Sequence, residues 1–198
     1  MPTGTTPDLV VARHAPAEAS AIVPELTEVY ARVYGGPPYA GDPFFSVRTF
    51  TERLTAAFGM PGFEVVTARL TEGTLAGYVH GVTLAPDRVW WASLNDVLPA
   101  DARAAADAGE MFWLRELMVL PEYTNRGIGR RLHDAMVSGR REPWTTLTCI
   151  HDNQPARDAY PRWGYEVVDR RIKHAPESPL YDPMLLRPRS KTPAQARS

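Results

Sequence analysis

Apolar positions along the chain fall into two kinds of spacing. Short runs rich in β-branched and aromatic residues read as strands: "LVVARH" (9–14), "FEVVTARL" (63–70), "TLAGYVHGVTLA" (74–85), "MFWLRELMVLP" (111–121), "WTTLTCI" (144–150), "YEVVDRRIK" (165–173) and "YDPMLLRP" (181–188). The turn Glu72-Gly73 joins the second and third into a hairpin. Between these runs the spacing lengthens. Ile22, Leu26, Val29 and Val33 predict one helix from Pro16 to about Tyr34, stopped by Gly35 and Gly36. A loop, "PPYAGDPFFS" (37–46), leads into a helix from Val47 to Phe58. Ile128, Leu132, Ala135 and Met136 stripe one side of a helix over 128–138, leaving Arg131, Asp134 and Arg141 outside. "NQPARDAYPRW" (153–163) predicts a short helix despite Pro161. Residues 86–110, with Trp90, Trp91 and "ADARAAADAG", are weakly patterned and read as a helix or a flexible lid. The order is mixed α/β, a hairpin start with a βαβαβ finish.

Composition narrows the class. A chain of 198 residues, 44% hydrophobic and 23% charged, suits one globular domain. That domain is placed at 9–188, between polar, proline-bearing ends (1–8 and 189–198) that read as flexible tails. The longest apolar runs are strand-sized, so no membrane partner is expected. The start lacks the basic-then-apolar pattern of a secretory leader, which points to the cytoplasm. A net charge of -1 offers no global field for nucleic acid, and the arginines at 130, 131, 140 and 141 read as a solvated face. Cys149 stands alone, excluding an internal disulfide and a cysteine-built zinc site. His14, His80, His133, His151 and His174 include no metal-spaced pair, and no G-x-S-x-G elbow supports a hydrolase. No metal is expected.

The sharpest local feature is "PEYTNRGIG" (121–129), where a strand gives way to a helix. A dinucleotide fingerprint would need glycine where Leu132 stands, and a P-loop would need Lys and Ser or Thr where Arg130 and Arg131 stand. Two readings survive. Asn125, Arg126, Gly127, Ile128 and Gly129 curl their amides around an anion at a helix start, helped by Arg126 and Arg130, or the glycines only shape the turn.

At this point a family likeness enters. "ELMVLPEYTNRGIGRRLHDAMV" resembles the acetyl-CoA-binding segment of the GNAT superfamily of acyltransferases: an apolar strand, Pro-Glu-Tyr, then [QR]-x-x-G-x-[GA] opening a helix. "NQPARDAYPRWGY" resembles the second family pattern, N-x-x-A-x-x-x-Y-x-x-x-G-[FY], through Asn153, Ala156, Tyr160, Gly164 and Tyr165. The likeness is close over 111–173, with Thr124 in place of the usual Gln or Arg and Pro161 directly after Tyr160 as departures. It implies a mixed, twisted central sheet with helices on both faces and acetyl-CoA as co-substrate. It also implies that Leu117, Met118 and Val119 lie on a splayed strand that pairs with the pantetheine arm, that Asn125 to Arg130 hold the pyrophosphate, that Asn153 contacts the pantetheine, and that Tyr160 points at the sulfur.

Acetyl transfer to an amine needs an oxyanion donor, an acid for the leaving thiolate and a base. A backbone N–H at Met118 or Val119 suits the first. Tyr160 suits the second, a phenol with an ordinary pKa of about 10, unless it is core packing. Glu116 suits the third through a water, unless it is a surface carboxylate paired with an arginine; a base used by some family members falls at Thr148 and does not transfer, and His80 and His151 are weaker candidates. Cys149 reads as buried packing, so direct transfer in a ternary complex is expected. Tyr39, Phe44, Phe45, Trp90 and Trp91 make the acceptor zone aromatic, or else cover the core. The acceptor is read as a primary amine of a small molecule or peptide, and a homodimer is left open. The rival reading is a non-catalytic acyl-CoA-binding module of the same fold.

Overall fold

A computed structural model describes residues 8–188; of the expected tails, 1–8 and 189–198, all but Asp8 lie outside the described residues. Seven strands form one sheet: β1 (Leu9–His14), β2 (Glu64–Leu70), β3 (Leu75–Thr83), β4 (Met111–Val119), β5 (Trp144–Ile150), β6 (Glu166–Val167) and β7 (Tyr181–Leu186). Their order is β1-β2-β3-β4-β5-β7-β6, antiparallel throughout except for the parallel β4–β5 pair. Seven helices accompany them: α1 (Pro16–Ala21), α2 (Val23–Tyr34), α3 (Val47–Ala57), α4 (Val89–Ala92), α5 (Ala100–Asp107), α6 (Ile128–Val137) and α7 (Gln154–Arg162). None is long and apolar enough to cross a membrane.

Two expectations are revised and one open alternative is resolved. The single helix predicted over 16–34 is two, α1 and α2, broken at Ile22 (φ -106, ψ 7) because Pro24 can neither donate to the preceding turn nor clear its carbonyl. The strand predicted over 165–173 shrinks to two residues and one later bridge, Ile172 to Tyr181. Val168 N–H still donates to Pro183 O at 2.8 Å, but Pro183 has no N–H to return and the ladder ends there. Residues 86–110 hold α4 and α5, and Trp90 and Trp91 are both buried in the core, so this stretch is packed structure and no lid.

The two sheet faces carry separate cores. Leu26, Tyr30, Phe50, Leu54, Tyr78 and Trp91 cluster beneath the N-terminal helices, while Val66, Val79, Phe112, Ile128, Leu132 and Met136 cluster beneath α6. A β-bulge in β4 governs which residue goes where. His80 pairs with Glu116 and Gly81 with Leu114, leaving Arg115 as the extra residue. Before it, Met111 and Trp113 enter the first core; after it, Met118 and Leu120 do, so the parity of the strand has changed. Gly81 makes this possible, since a Cβ there would lie 2.4 Å from both Phe112 Cζ and Trp113 O.

At the far end of the sheet a buried ion pair ties the β4–β5 connection to β2 and β3. The Glu142 side chain is fully buried and Arg140 is 8% exposed. Arg140 forks the Glu142 carboxylate with two bonds of 3.1 Å, reaches Glu64 at 3.0 Å, and lies 3.8 Å over the Phe112 ring.

Candidate active site

β4 and β5 are paired only from Met111–Trp113 to Trp144–Thr146; beyond that they diverge. Leu120 N–H donates to Ala76 O at 2.9 Å, so strand alternation turns the amides of Met118 and Glu116 toward β3 and those of Leu117 and Val119 toward the open edge. Of the three residues expected to meet the cofactor, Met118 is thus the exception. Its backbone is spent on β3, and its sulfur accepts from the buried Tyr78 hydroxyl at 3.4 Å.

The divergence opens a cavity of about 920 Å³. Glu116 and Leu117 of β4, Cys149 of β5, and Asn153 and Tyr160 of α7 line it together, so the two side chains read as catalytic share one space. The Glu116 side chain is 21% exposed, with Arg53 at 3.9 Å. Burial raises its carboxyl above the ordinary range, partly offset by Arg53 and Arg115. Tyr160 is held by edge-on ring contacts to Trp163 (5.3 Å) and Tyr165 (5.4 Å), and burial raises its phenol, which stays protonated. Burial and the nearby Asp182 push the Cys149 thiol up to about 12, which keeps it from being a nucleophile. Asn153 caps α7, its side-chain oxygen accepting from Ala156 N–H at 3.3 Å, which leaves its NH₂ for the cavity.

The glycine turn lies outside the cavity lining, beyond the end of β4. A 3-10 turn (Pro121–Tyr123) leads to Asn125 at φ 60 and Gly127 at φ 76, both left-handed. Among the described residues no acceptor takes the amides of residues 125–130; the first to be used is Arg131 N–H, to Gly127 O at 3.1 Å. Gly127 is explained by its φ. Gly129 is not: a Cβ there would meet Leu117, Trp163 and Val119 at ordinary distances of 3.5–3.8 Å. A glycine in a first helical turn that the fold does not require is one that keeps backbone accessible. Arg126 is exposed, over the Tyr123 ring at 5.6 Å, whereas Arg130 is already paired with Asp134 at 2.6 Å.

The family model of the GNAT acetyltransferase domain matches residues 85–167. Over that stretch the chain matches a GNAT domain. Solved structures agree on the GNAT fold over nearly the whole chain. The ribosomal-protein-S18-alanine N-acetyltransferase from Escherichia coli superposes with a TM-score of 0.60 at 13% identity, covering 96% of this chain and 99% of that one. The PaiA N-acetyltransferase from Thermoplasma acidophilum, solved in complex with coenzyme A, gives 0.55 at 14% identity, covering 91% and 99%. An acetyltransferase from Thermus thermophilus gives 0.58 at 16%, covering 93% and 99%. At these identities the likeness is one of fold. No curated protein matches the chain by sequence.

Within the GNAT fold the remaining candidates separate. Phe44, Phe45 and Trp90 line the cavity, while Tyr39 and Trp91 do not. His80 is buried outside the lining, neither ring nitrogen has a partner, and burial with Arg115 and Arg53 holds it neutral. His151 bonds Asp182 at 2.9 Å beside Arg157, tying α7 to β7. Four lining residues had no local sequence signal: Arg53, Arg88, Arg115 and His174. His174 Nε2 meets Thr148 Oγ1 at 2.9 Å, and its ring packs on Trp90 and Tyr181. Burial, aided by Arg115 and Arg53, lowers it to about 4 from 6.5. A depressed histidine leaves the unfolded chain holding more protons between those values, so stability rises with pH across that window. His174→Gln is therefore expected to flatten the loss of melting temperature between pH 6.5 and 4; an unchanged slope would contradict its burial.

Proposed function

We propose that the protein is an acetyl-CoA-dependent N-acetyltransferase that acetylates the primary amine of a small molecule or peptide directly, within a ternary complex. The observation that carries this is the run of amides at 125–130 without an acceptor among the described residues, just beyond the end of β4, the strand whose Glu116 lines a cavity together with Tyr160. The amides of 125–130 hold the diphosphate, assisted by Arg126. Leu117 and Val119 receive the pantetheine arm as an added strand, and the Asn153 NH₂ meets the same arm. The thioester supplies the activated acetyl group. An open-edge amide, at Val119 or Leu117, is placed to stabilise an oxyanion.

Glu116 takes the amine proton through a water. Burial raises its carboxyl, which makes it a stronger base than an exposed glutamate. Tyr160 donates to the departing thiolate; the burial that raises the phenol also raises the thiolate beside it, so the proton transfer stays balanced. His174, neutral above about 4, is not the group whose ionisation sets the activity near pH 6.5.

Calorimetry with coenzyme A and thiol release across an amine panel test the reading. Heat without thiol release favours the non-catalytic module, and no heat removes the cofactor assignment. Glu116→Gln is expected to lower kcat/KM by about 100-fold or more and to erase its rise with pH above 4.5; a pH profile identical to wild type would acquit Glu116. Arg126→Ala is expected to raise KM for acetyl-CoA about three- to tenfold at low salt, less at high salt, with no change in melting temperature. A salt-independent KM difference would remove Arg126 from the phosphate site.

A further inference from the structure

The acceptor side of the cavity is rich in arginine and poor in partners for it. Arg53 has Glu116 at 3.9 Å, the Tyr30 hydroxyl at 3.3 Å and the Phe44 carbonyl at 3.4 Å. Arg88 and Arg115 have no carboxylate within ion-pair distance among the described residues. Both guanidinium groups turn to the same thioether, Met60 Sδ, at 3.5 and 3.8 Å, and both lie over the Trp113 ring, at 5.8 and 4.9 Å. A guanidinium offers five donors, and a thioether is a weak acceptor. Asp87 and Glu177, the other carboxylates of the lining, pair with neither.

Arg115 shows what this arrangement costs. Burial pulls its guanidinium down to about 10, and Arg88 and Arg53 add to the shift against the favourable pull of Glu116. Two part-buried like charges sharing one sulfur and one indole are retained where an apolar wall would be more stable. The β4 bulge then sets Arg115 and Glu116 side by side on one face. A site for an anion and a site for an ammonium thus adjoin.

We infer that the acceptor amine carries a carboxylate, which Arg88 and Arg115 bind while Glu116 faces the amino group and the aromatic wall receives the rest. The role of acceptor rests on the transferase reading above, but the carboxylate site can be measured without it. Arginine forks fit phosphate as well as carboxylate; beside Glu116 a monoanion is the better match, because a dianion would meet the carboxylate's repulsion.

The test follows tryptophan fluorescence, reported by Trp113 and Trp90, during titration without coenzyme A. The probes are 3-phenylpropionate, 3-phenylpropionamide and phenyl phosphate. Wild type is expected to bind the acid at least tenfold more tightly than the amide and more tightly than the phosphate. Arg115→Gln is expected to abolish the difference, Arg115→Lys to restore part of it, and Arg88→Gln, at a half-buried position, serves if Arg115→Gln does not fold. No binding of the acid, equal binding of acid and amide, or a preference that survives both glutamine variants overturns the inference; tighter binding of phenyl phosphate overturns the carboxylate. Calorimetry with coenzyme A on the same samples keeps the two readings apart: silence there with the acid preference intact sinks the transferase reading alone.

Discussion

Tyr160→Phe should lower the turnover number for thiol release 100-fold or more, the scale of a lost general acid, while KM for acetyl-CoA stays within about threefold. The substitution removes one oxygen and keeps the ring. Its edge-on contacts to Trp163 and Tyr165 survive, and no hydrogen bond from the hydroxyl to a described residue is lost, so melting temperature should hardly move. That combination separates acid from packing: a residue that only fills the core would keep both its stability and its turnover when the ring is retained. Unchanged turnover would hand the thiolate proton to solvent and leave Tyr160 a structural aromatic.

Arg140→Met should be the most destabilising of the substitutions considered, at about 3–5 kcal/mol, because it strands a buried carboxylate. Glu142 is fully buried, and without Arg140 it keeps only the Thr83 hydroxyl, at 2.5 Å, and the exposed Arg141 at 3.8 Å. Burial alone would raise this carboxyl, but the Arg140 fork and Thr83 outweigh it and hold it below 4.5. A depressed carboxyl stabilises the fold above its unfolded value and stops doing so as pH falls through its folded value. The gap between wild type and Arg140→Met should therefore narrow in acid, and Arg140→Met with Glu142→Leu should recover part of the loss at neutral pH. Denaturant midpoints at pH 7 and pH 3.5 check both; a gap that does not narrow in acid would mean that Arg140 acts through its packing on Phe112 instead.

What could be read from the sequence was local. The turn at 121–129 needs its left-handed glycine wherever it occurs, and the stripe Ile128, Leu132, Met136 needs only helical spacing to find the core. Pro24 carried a local signal that the single-helix reading passed over, since a proline eight residues into a predicted helix is a break by its chemistry. What escaped was long-range. That β6 ends at Val167 depends on Pro183 across the ladder. Arg53, Arg88, Arg115 and His174 converge from four separate stretches of chain, and none carries a local signal. The amide of Met118 could be assigned a direction only once the register with β3 was known.

The extra residue at Arg115 has one more consequence. It acts as a frame shift in the sidedness of β4, so the strand's two halves answer to different neighbours: in the proposed complex Trp113 and Arg115 would shape the wall that chooses the amine, and Leu117 and Val119 would present the rail along which the thioester lies. On that proposal, substitutions upstream would retune one substrate without disturbing the other. Deleting Arg115 would leave an unbroken alternation from Met111 to Leu120, with Trp113 and Glu116 still on one side and Phe112, Leu114 and Leu117 on the other, so a chain shortened by that one amino acid should keep the packing of both cores and lose only the guanidinium of the wall.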